Sequence, residues 1–295
     1  MAYTSQNLLD AVERRSFVPA GQTTFEDAEI LLIADEVLRN DLLPNILGLM
    51  EEYFINNIDY AITQNLQPYS VPARSIASII REVHYINESG SIEDLQRIEP
   101  EQIDSTTRTS SKPESFYMKN ANVWLHPIPS ATQGTLRLMF PLRPSNLILT
   151  ADATTVSAID TATNTVTLTS IPTGWVTGNT FDFISKDGSH NHLDRGFDLE
   201  SSLVSGSDVT LPRLPETLRV GDYIALAEQT PVVQLPAEYR DLLAQGTACF
   251  IIEKMNLPGK TFERDQYKKS LENIQRMISP RTQGSPRSIP IPTFL

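Results

Sequence analysis

Residues 135–140 read Thr135-Leu136-Arg137-Leu138-Met139-Phe140, a run that alternates polar and apolar through Leu138, as a strand does and a helix does not. Val83-His84-Tyr85-Ile86, followed by the turn Asn87-Glu88-Ser89-Gly90, and Asn122-Val123-Trp124-Leu125 have the same period. Further along, Thr165–Thr169, Thr180–Ile184, Asp208–Leu211 and Gly221–Leu226 are rich in β-branched and aromatic residues and are separated by turn residues at intervals typical of sandwiches and barrels. The middle of the chain is therefore predicted to be antiparallel β. The polar run Ser105–Glu114 is expected to interrupt it as a mobile loop.

Both ends carry the helical period instead. Thr24 with Asp27 has the form of a capping box, and Leu31, Ala34, Val37 and Leu38 recur at helix spacing. Pro44 suits a first helical turn, and Ile46, Leu47, Met50, Tyr53 and Phe54 follow as one stripe, so two adjacent helices are expected. Pro236 opens a segment in which Tyr239, Leu242, Leu243, Gly246, Cys249 and Phe250 share a face, and Pro258-Gly259 breaks it. The next helix turns Tyr267, Leu271, Ile274 and Ile278 inward and Arg264, Lys268, Lys269 and Arg276 outward. Beyond it, Ser279–Leu295 carries prolines at 280, 286, 290 and 292, which forbid helix and central strand, yet also Ile289, Ile291, Phe294 and Leu295. Such an arm suits docking in another subunit's groove.

The expected class is α+β, with terminal helices forming a bundle, a β-rich sandwich or barrel between them, and an extended arm. The divisions are N-terminal helices over 1–57, a β-rich region over 58–147, a β insertion over 148–233, a helix pair over 234–278 and the arm over 279–295. No internal repeat with a period of about 20 to 50 residues is visible.

A chain of 295 residues with 40% hydrophobic content can build real cores, which excludes bulk disorder. Its net charge of −12 argues against a grip on nucleic acid, which needs a dense positive face. The charge is unevenly placed. Residues 1–60 hold eleven carboxylates against three arginines, whereas 257–295 hold seven bases against three acids, an asymmetry able to guide association of like subunits. The single cysteine, Cys249, excludes an intramolecular disulfide and reads as an inert buried thiol. Polar residues after Met1, and no apolar run of membrane-spanning length, lead to the expectation of a chain neither exported by a signal peptide nor threaded through a membrane.

The best enzymatic candidate is Asp187-Gly188-Ser189-His190-Asn191-His192-Leu193-Asp194. His190 and His192 on a strand would project to one side, where Asp194 could complete a metal site, although the same letters describe a polar hairpin loop. Gly259-Lys260-Thr261 resembles the end of a phosphate loop but has Lys254 where the earlier glycine belongs. The neighbouring carboxylates Asp35-Glu36 and Glu51-Glu52 read as solvated helix faces. Trp124 and Trp175 could serve as sugar platforms, and buried strand aromatics are the plainer reading.

Several segments together resemble the head-to-tail connector, or adaptor, proteins of tailed bacteriophages of the short-tailed or crAss-like type. They are Leu8–Arg15 with Phe25-Glu26-Asp27, Leu43-Pro44 to Glu52-Tyr53-Phe54, Tyr69–Arg74, Val123–Pro129 before Leu136–Pro144, and Gln234–Tyr239. The resemblance implies a non-enzymatic virion protein without cofactor, made in the host bacterial cytoplasm and lodged at the head–tail junction. It implies a ring of roughly twelve subunits below the portal, through which double-stranded DNA passes without specific binding. Portal and tail or tail-nozzle proteins would be its partners, and no membrane is involved. Arg281, Arg287, Ile289, Ile291, Phe294 and Leu295 would then dock the portal, and Arg264, Lys268, Lys269 and Arg276 would meet an acidic face of a neighbour or of the portal. It also implies that the runs 123–129 and 136–144 form a strand pair with a proline hinge. The alternatives are a receptor- or carbohydrate-binding virion protein, with exposed aromatics near Trp175, and a metal-dependent hydrolase centred on His190 and His192.

Overall fold

The computed structural model describes residues 2–16, 25–50, 52–103, 108–187, 193, 195–255 and 260–278. It is an α+β protein. The helices are α1 (Ser5–Ser16), α2 (Asp27–Val37), α3 (Leu43–Leu49), α4 (Ala237–Lys254) and α5 (Lys260–Ile278). The first strands are β1 (Ile55–Ala61), β2 (Tyr69–Ser70), β3 (Glu82–Ile86), β4 (Ile92–Asp94), β5 (Gln96–Arg97), β6 (Thr109–Ser110), β7 (Ser115–Lys119), β8 (Asn122–His126), β9 (Ile128–Pro129), β10 (Thr135–Pro141) and β11 (Asn146–Leu147). After them come β12 (Thr154–Asp160), β13 (Thr165–Leu168), β14 (Thr180–Ile184), β15 (Leu199–Glu200), β16 (Leu203–Ser205), β17 (Asp208–Thr210), β18 (Tyr223–Leu226) and β19 (Gln229–Thr230).

Helix α4 is the hub of the helical core and packs against α1, α2 and α5. Leu8, Leu9 and Val12 of α1, Leu31 and Ala34 of α2, and Leu242, Leu243 and Ala248 of α4 are all buried there, as their spacing predicts. Gly246 lets Val37 of α2 and Tyr267 of α5 come close to α4. A Cβ at that position would lie 2.7 Å from Val37 Cγ1 and 3.0 Å from the Tyr267 ring.

The N-terminal helices differ from expectation in two ways. The N-cap of α2 is Glu26, whose N–H donates to Glu29 Oε2 at 3.1 Å, rather than Thr24, which lies outside the described residues. Secondly, α2 and α3 are not separate helices but run together through a π-helical turn, Leu38–Leu42, with the Leu43 N–H bonded to Leu38 O. Pro44 lies in the first turn of α3 and has no N–H to return, so the wider turn takes up the crowding its ring would cause with the preceding carbonyls. The stripe also stops early. The helix ends at Leu49, and Phe54 reaches the core from a turn, edge-on to Tyr53 at 4.9 Å.

The central sheets share one core. One has the order β1-β10-β3-β4, with Leu136, Leu138 and Phe140 fully buried on β10, and the other has the order β2-β8-β7-β5. Val83, Phe116, Val123, Leu125, Leu136 and Leu138 pack between them. The expected pairing of 123–129 with 136–144 is thus overturned, since β8 pairs with β7 and β2 whereas β10 pairs with β1 and β3. Residues 130–134 carry the chain from one sheet to the other. Gly134 makes this crossing at φ +76°, where a Cβ would come within 2.6 Å of Ile86 O. The described part of the expected mobile loop is anchored, β6 pairing in parallel with β9.

A third sheet has the order β15-β14-β18-β12-β13-β17-β16. Its two edge strands are joined by only Ser201 and Ser202, so the sheet curls into a half-barrel around Val166, Phe181, Phe183, Val209 and Ile224. The parallel pair β11–β19 lies between this sheet and α2.

Candidate functional site

The outer side of α5 carries the four cations singled out in the sequence, and the fold sorts them into two kinds. Arg264 Nη1 lies 3.0 Å from Glu253 Oε1 of α4, and Arg276 Nη2 lies 3.8 Å from Glu272 one turn earlier. Lys268 and Lys269 are exposed and have no ion-pair or hydrogen-bond partner among the described residues. Phe262 and Met277, on the same helix, are 62% and 65% exposed. Two amines and two apolar side chains are thus turned toward solvent on one helix.

The remaining sequence candidates are scattered. His190, His192 and Asp194 lie outside the described residues, as do Arg281, Arg287, Ile289, Ile291, Phe294 and Leu295. Among the described residues no group of three His, Cys, Asp or Glu side chains could hold a metal ion, and no helix is long and apolar enough to cross a membrane. Cys249 is half-buried rather than fully enclosed, beside Gly246 and Tyr267. Burial, with Glu263 and Glu253 nearby, pushes its thiol up to about 11, so the thiolate is disfavoured. Trp175 is buried against Phe181 at 4.7 Å and offers no platform. Trp124 is half-buried and stacks on Tyr117 at 6.0 Å, with the Lys119 amine 5.8 Å from its ring centre.

A cleft of about 880 Å³ opens between the two central sheets and is lined by Ile79, Arg81, His84, Asp94, Arg97 and Met118, among others. Most of its charge is already spent within the chain. His84 Nδ1 lies 2.6 Å from Asp94 Oδ1 and its Nε2 3.2 Å from Glu82 Oε2, while Arg81 reaches Glu52 at 2.8 Å. His84 belongs to a row of register neighbours, Asp59, Arg137, His84 and Asp94, that crosses β1, β10, β3 and β4. Asp59 and Arg137, directly opposite and of opposite charge, support the pairing of β1 with β10.

Two buried polar arrangements escaped the sequence reading. Arg74 Nη1 contacts Asp182 Oδ2 at 2.8 Å and Asp198 Oδ1 at 2.9 Å, and its Nη2 donates to Ser145 Oγ at 2.8 Å. Asp182 also accepts the N–H groups of Asp198 and Glu228. Burial opposes charge on Arg74, but the two carboxylates hold its guanidinium above the ordinary value. Burial pushes the Asp182 carboxyl up, and Arg74 with the two N–H groups pulls against it. The second arrangement corrects the reading of Asp35-Glu36 as a solvated pair. Glu36 is exposed, whereas Asp35 is 5% exposed and accepts the Leu147 N–H at 2.9 Å. Burial lifts its carboxyl from 3.8 to about 7, opposed by the Leu147 N–H and by Arg39.

Comparison with known proteins finds no family model that matches the chain, and no curated protein that matches its sequence.

Proposed function

We propose that this chain is a structural protein of a tailed-bacteriophage virion, a head-to-tail adaptor. Its copies close into a ring below the portal, connect capsid to tail and let DNA pass during packaging and ejection. The observation that carries this reading is the outer face of α5, where Lys268 and Lys269 lack an intrachain partner among the described residues beside exposed Phe262 and Met277. Apolar side chains next to unpaired cations are surface that a protein neighbour covers with gain. The net charge of −12 suits the role, because an acidic lumen repels the duplex and keeps it from sticking.

In this reading the helices form a bundle in the ring wall, and the β regions, as sandwich and barrel, face tail components. Residues 279–295 form the arm that docks the portal, with Arg281, Arg287, Ile289, Ile291, Phe294 and Leu295 as anchors. The protein performs no catalysis and needs no cofactor. Removing 279–295 tests the assignment. The truncated chain should keep its melting temperature and lose attachment to a candidate portal ring in co-sedimentation, and normal attachment would remove the arm's role.

A second reading, a carbohydrate-binding virion protein, is favoured by the half-buried Tyr117–Trp124 stack with Lys119 beside it. Trp175, near which that reading looks for exposed aromatics, is itself in the core. Glycan-array binding that disappears in Trp124→Ala would favour it over the adaptor.

A further inference from the structure

We infer that the acidic outer face of α2 is the surface that receives α5 of a second copy of this chain, an inference that rests on the ring reading and gives it a specific contact. Helix α2 carries Asp27, Glu29, Asp35 and Glu36 and no lysine or arginine. Asp35 is buried, so the exposed charges of this helix are all negative. Between Glu29 and Glu36, on the same side, Leu32 is 62% exposed. An exposed leucine bracketed by two carboxylates is an apolar spot with an acidic rim.

On α5 the exposed side is mixed in charge but bears two cations at the matching spacing, with Glu272 between them. Lys269 and Arg276 are both exposed, with Phe262 two turns before the lysine and Met277 next to the arginine. Glu29 and Glu36 are seven residues apart, as are Lys269 and Arg276, and seven residues of helix rise about 10.5 Å. The two carboxylates of one copy therefore match the two cations of the next in spacing. Leu32 meets the side of α5 flanked by Phe262 and Met277, and Lys268 adds a second amine at the rim. Arg276 is held within its own chain only by an exposed contact of 3.8 Å to Glu272, which a neighbour's carboxylate can replace. Glu29 gives one oxygen to the Glu26 N–H and keeps the other.

Repeated head-to-tail, this contact closes a ring where the rotation fits. Complementary charge at the rim also gives the contact a salt dependence.

Charge reversal in the full chain, read by native mass spectrometry with far-UV circular dichroism as the control for folding, tests this contact. Wild type is expected to give high-order oligomers, Glu29→Lys with Glu36→Lys to give monomer, and Lys269→Glu with Arg276→Glu to give monomer. An equimolar mixture of the two double variants, and the chain carrying all four changes, should recover oligomers. Oligomers that persist in either double variant, or a fourfold variant that stays monomeric, overturn the α2–α5 contact while leaving the ring intact. A wild type that is itself monomeric at all concentrations overturns both.

Discussion

Arg74 Nη1 lies 2.8 Å from Asp182 Oδ2, with 4% and 0% of the two side chains exposed, and this pair ties the loop before β3 to the half-barrel. The Arg74 guanidinium also lies 5.9 Å from the ring centre of Phe197, which packs with Phe140 and Leu142. Removing one partner strands a charge in the interior, so Arg74→Ala or Asp182→Ala should lower unfolding free energy by about 3–5 kcal/mol. The paired change Arg74→Met with Asp182→Leu should cost less than either single change. Urea unfolding of the three variants checks this, and single variants within 1 kcal/mol of wild type would contradict it.

The Asp35 carboxyl predicts a pH dependence. Its folded value, about 7, lies above its ordinary 3.8, so the folded state binds this proton more tightly. The associated stability is complete below about pH 4 and lost as pH rises through about 7, to a limit of about 4 kcal/mol. Asp35→Asn keeps an oxygen for the Leu147 N–H and removes the titration. Denaturation between pH 5 and 8 should show a falling midpoint in wild type and a flatter one in the variant, and parallel curves would count against the assignment.

Gly246 carries an opposite prediction to helix propensity, which alone favours alanine by about 1 kcal/mol. The added methyl would press on Val37 and Tyr267, a cost of about 1–3 kcal/mol. Gly246→Ala should therefore lower the melting temperature. A more stable alanine variant would show that α2 and α5 do not close on α4 as described.

Tyr239 is fully buried, and its hydroxyl has no hydrogen-bond partner among the described residues. Leaving such a group unpaired costs about 1–3 kcal/mol. Tyr239→Phe should stabilise the chain by about 1 kcal/mol in urea, and a loss of that size would point to a partner for the hydroxyl.

Local periods carried far in this sequence, and distant pairings did not. Leu136, Leu138 and Phe140 recur at every second position, so β10 could be recognised without its neighbours, and Leu31, Ala34, Val37 and Leu38 gave the buried face of α2. Strand β1 was missed because Asn56, Asn57 and Asp59 break the apolar alternation, and Tyr53-Phe54 before it extended an apparent helical stripe. Its polar side chains are matched by partners far along the chain, Asp59 with Arg137 and Arg195, and Asn57 with Arg195. The separation of β8 from β10 was equally hidden, since the resemblance implies that they pair and only the shared core sets them in facing sheets.

The candidate site was legible only in part. The outward side of α5 follows from its period, but which cations are already paired depends on Glu253, a residue of the preceding helix. The acidic face of α2 needed the structure too, because Asp35 and Glu36 are indistinguishable as letters and only packing buries one of them. Arg74 and Asp182 are 108 residues apart, and no local pattern announces their contact.

The most direct measurement of the central claim is native mass spectrometry of the purified full chain at low ionic strength, with negative-stain images of the same sample. A discrete closed ring of roughly twelve copies, dissociating as salt is raised, is the predicted result. A monomer across the accessible concentration range, with no ring in any image class, would contradict the account.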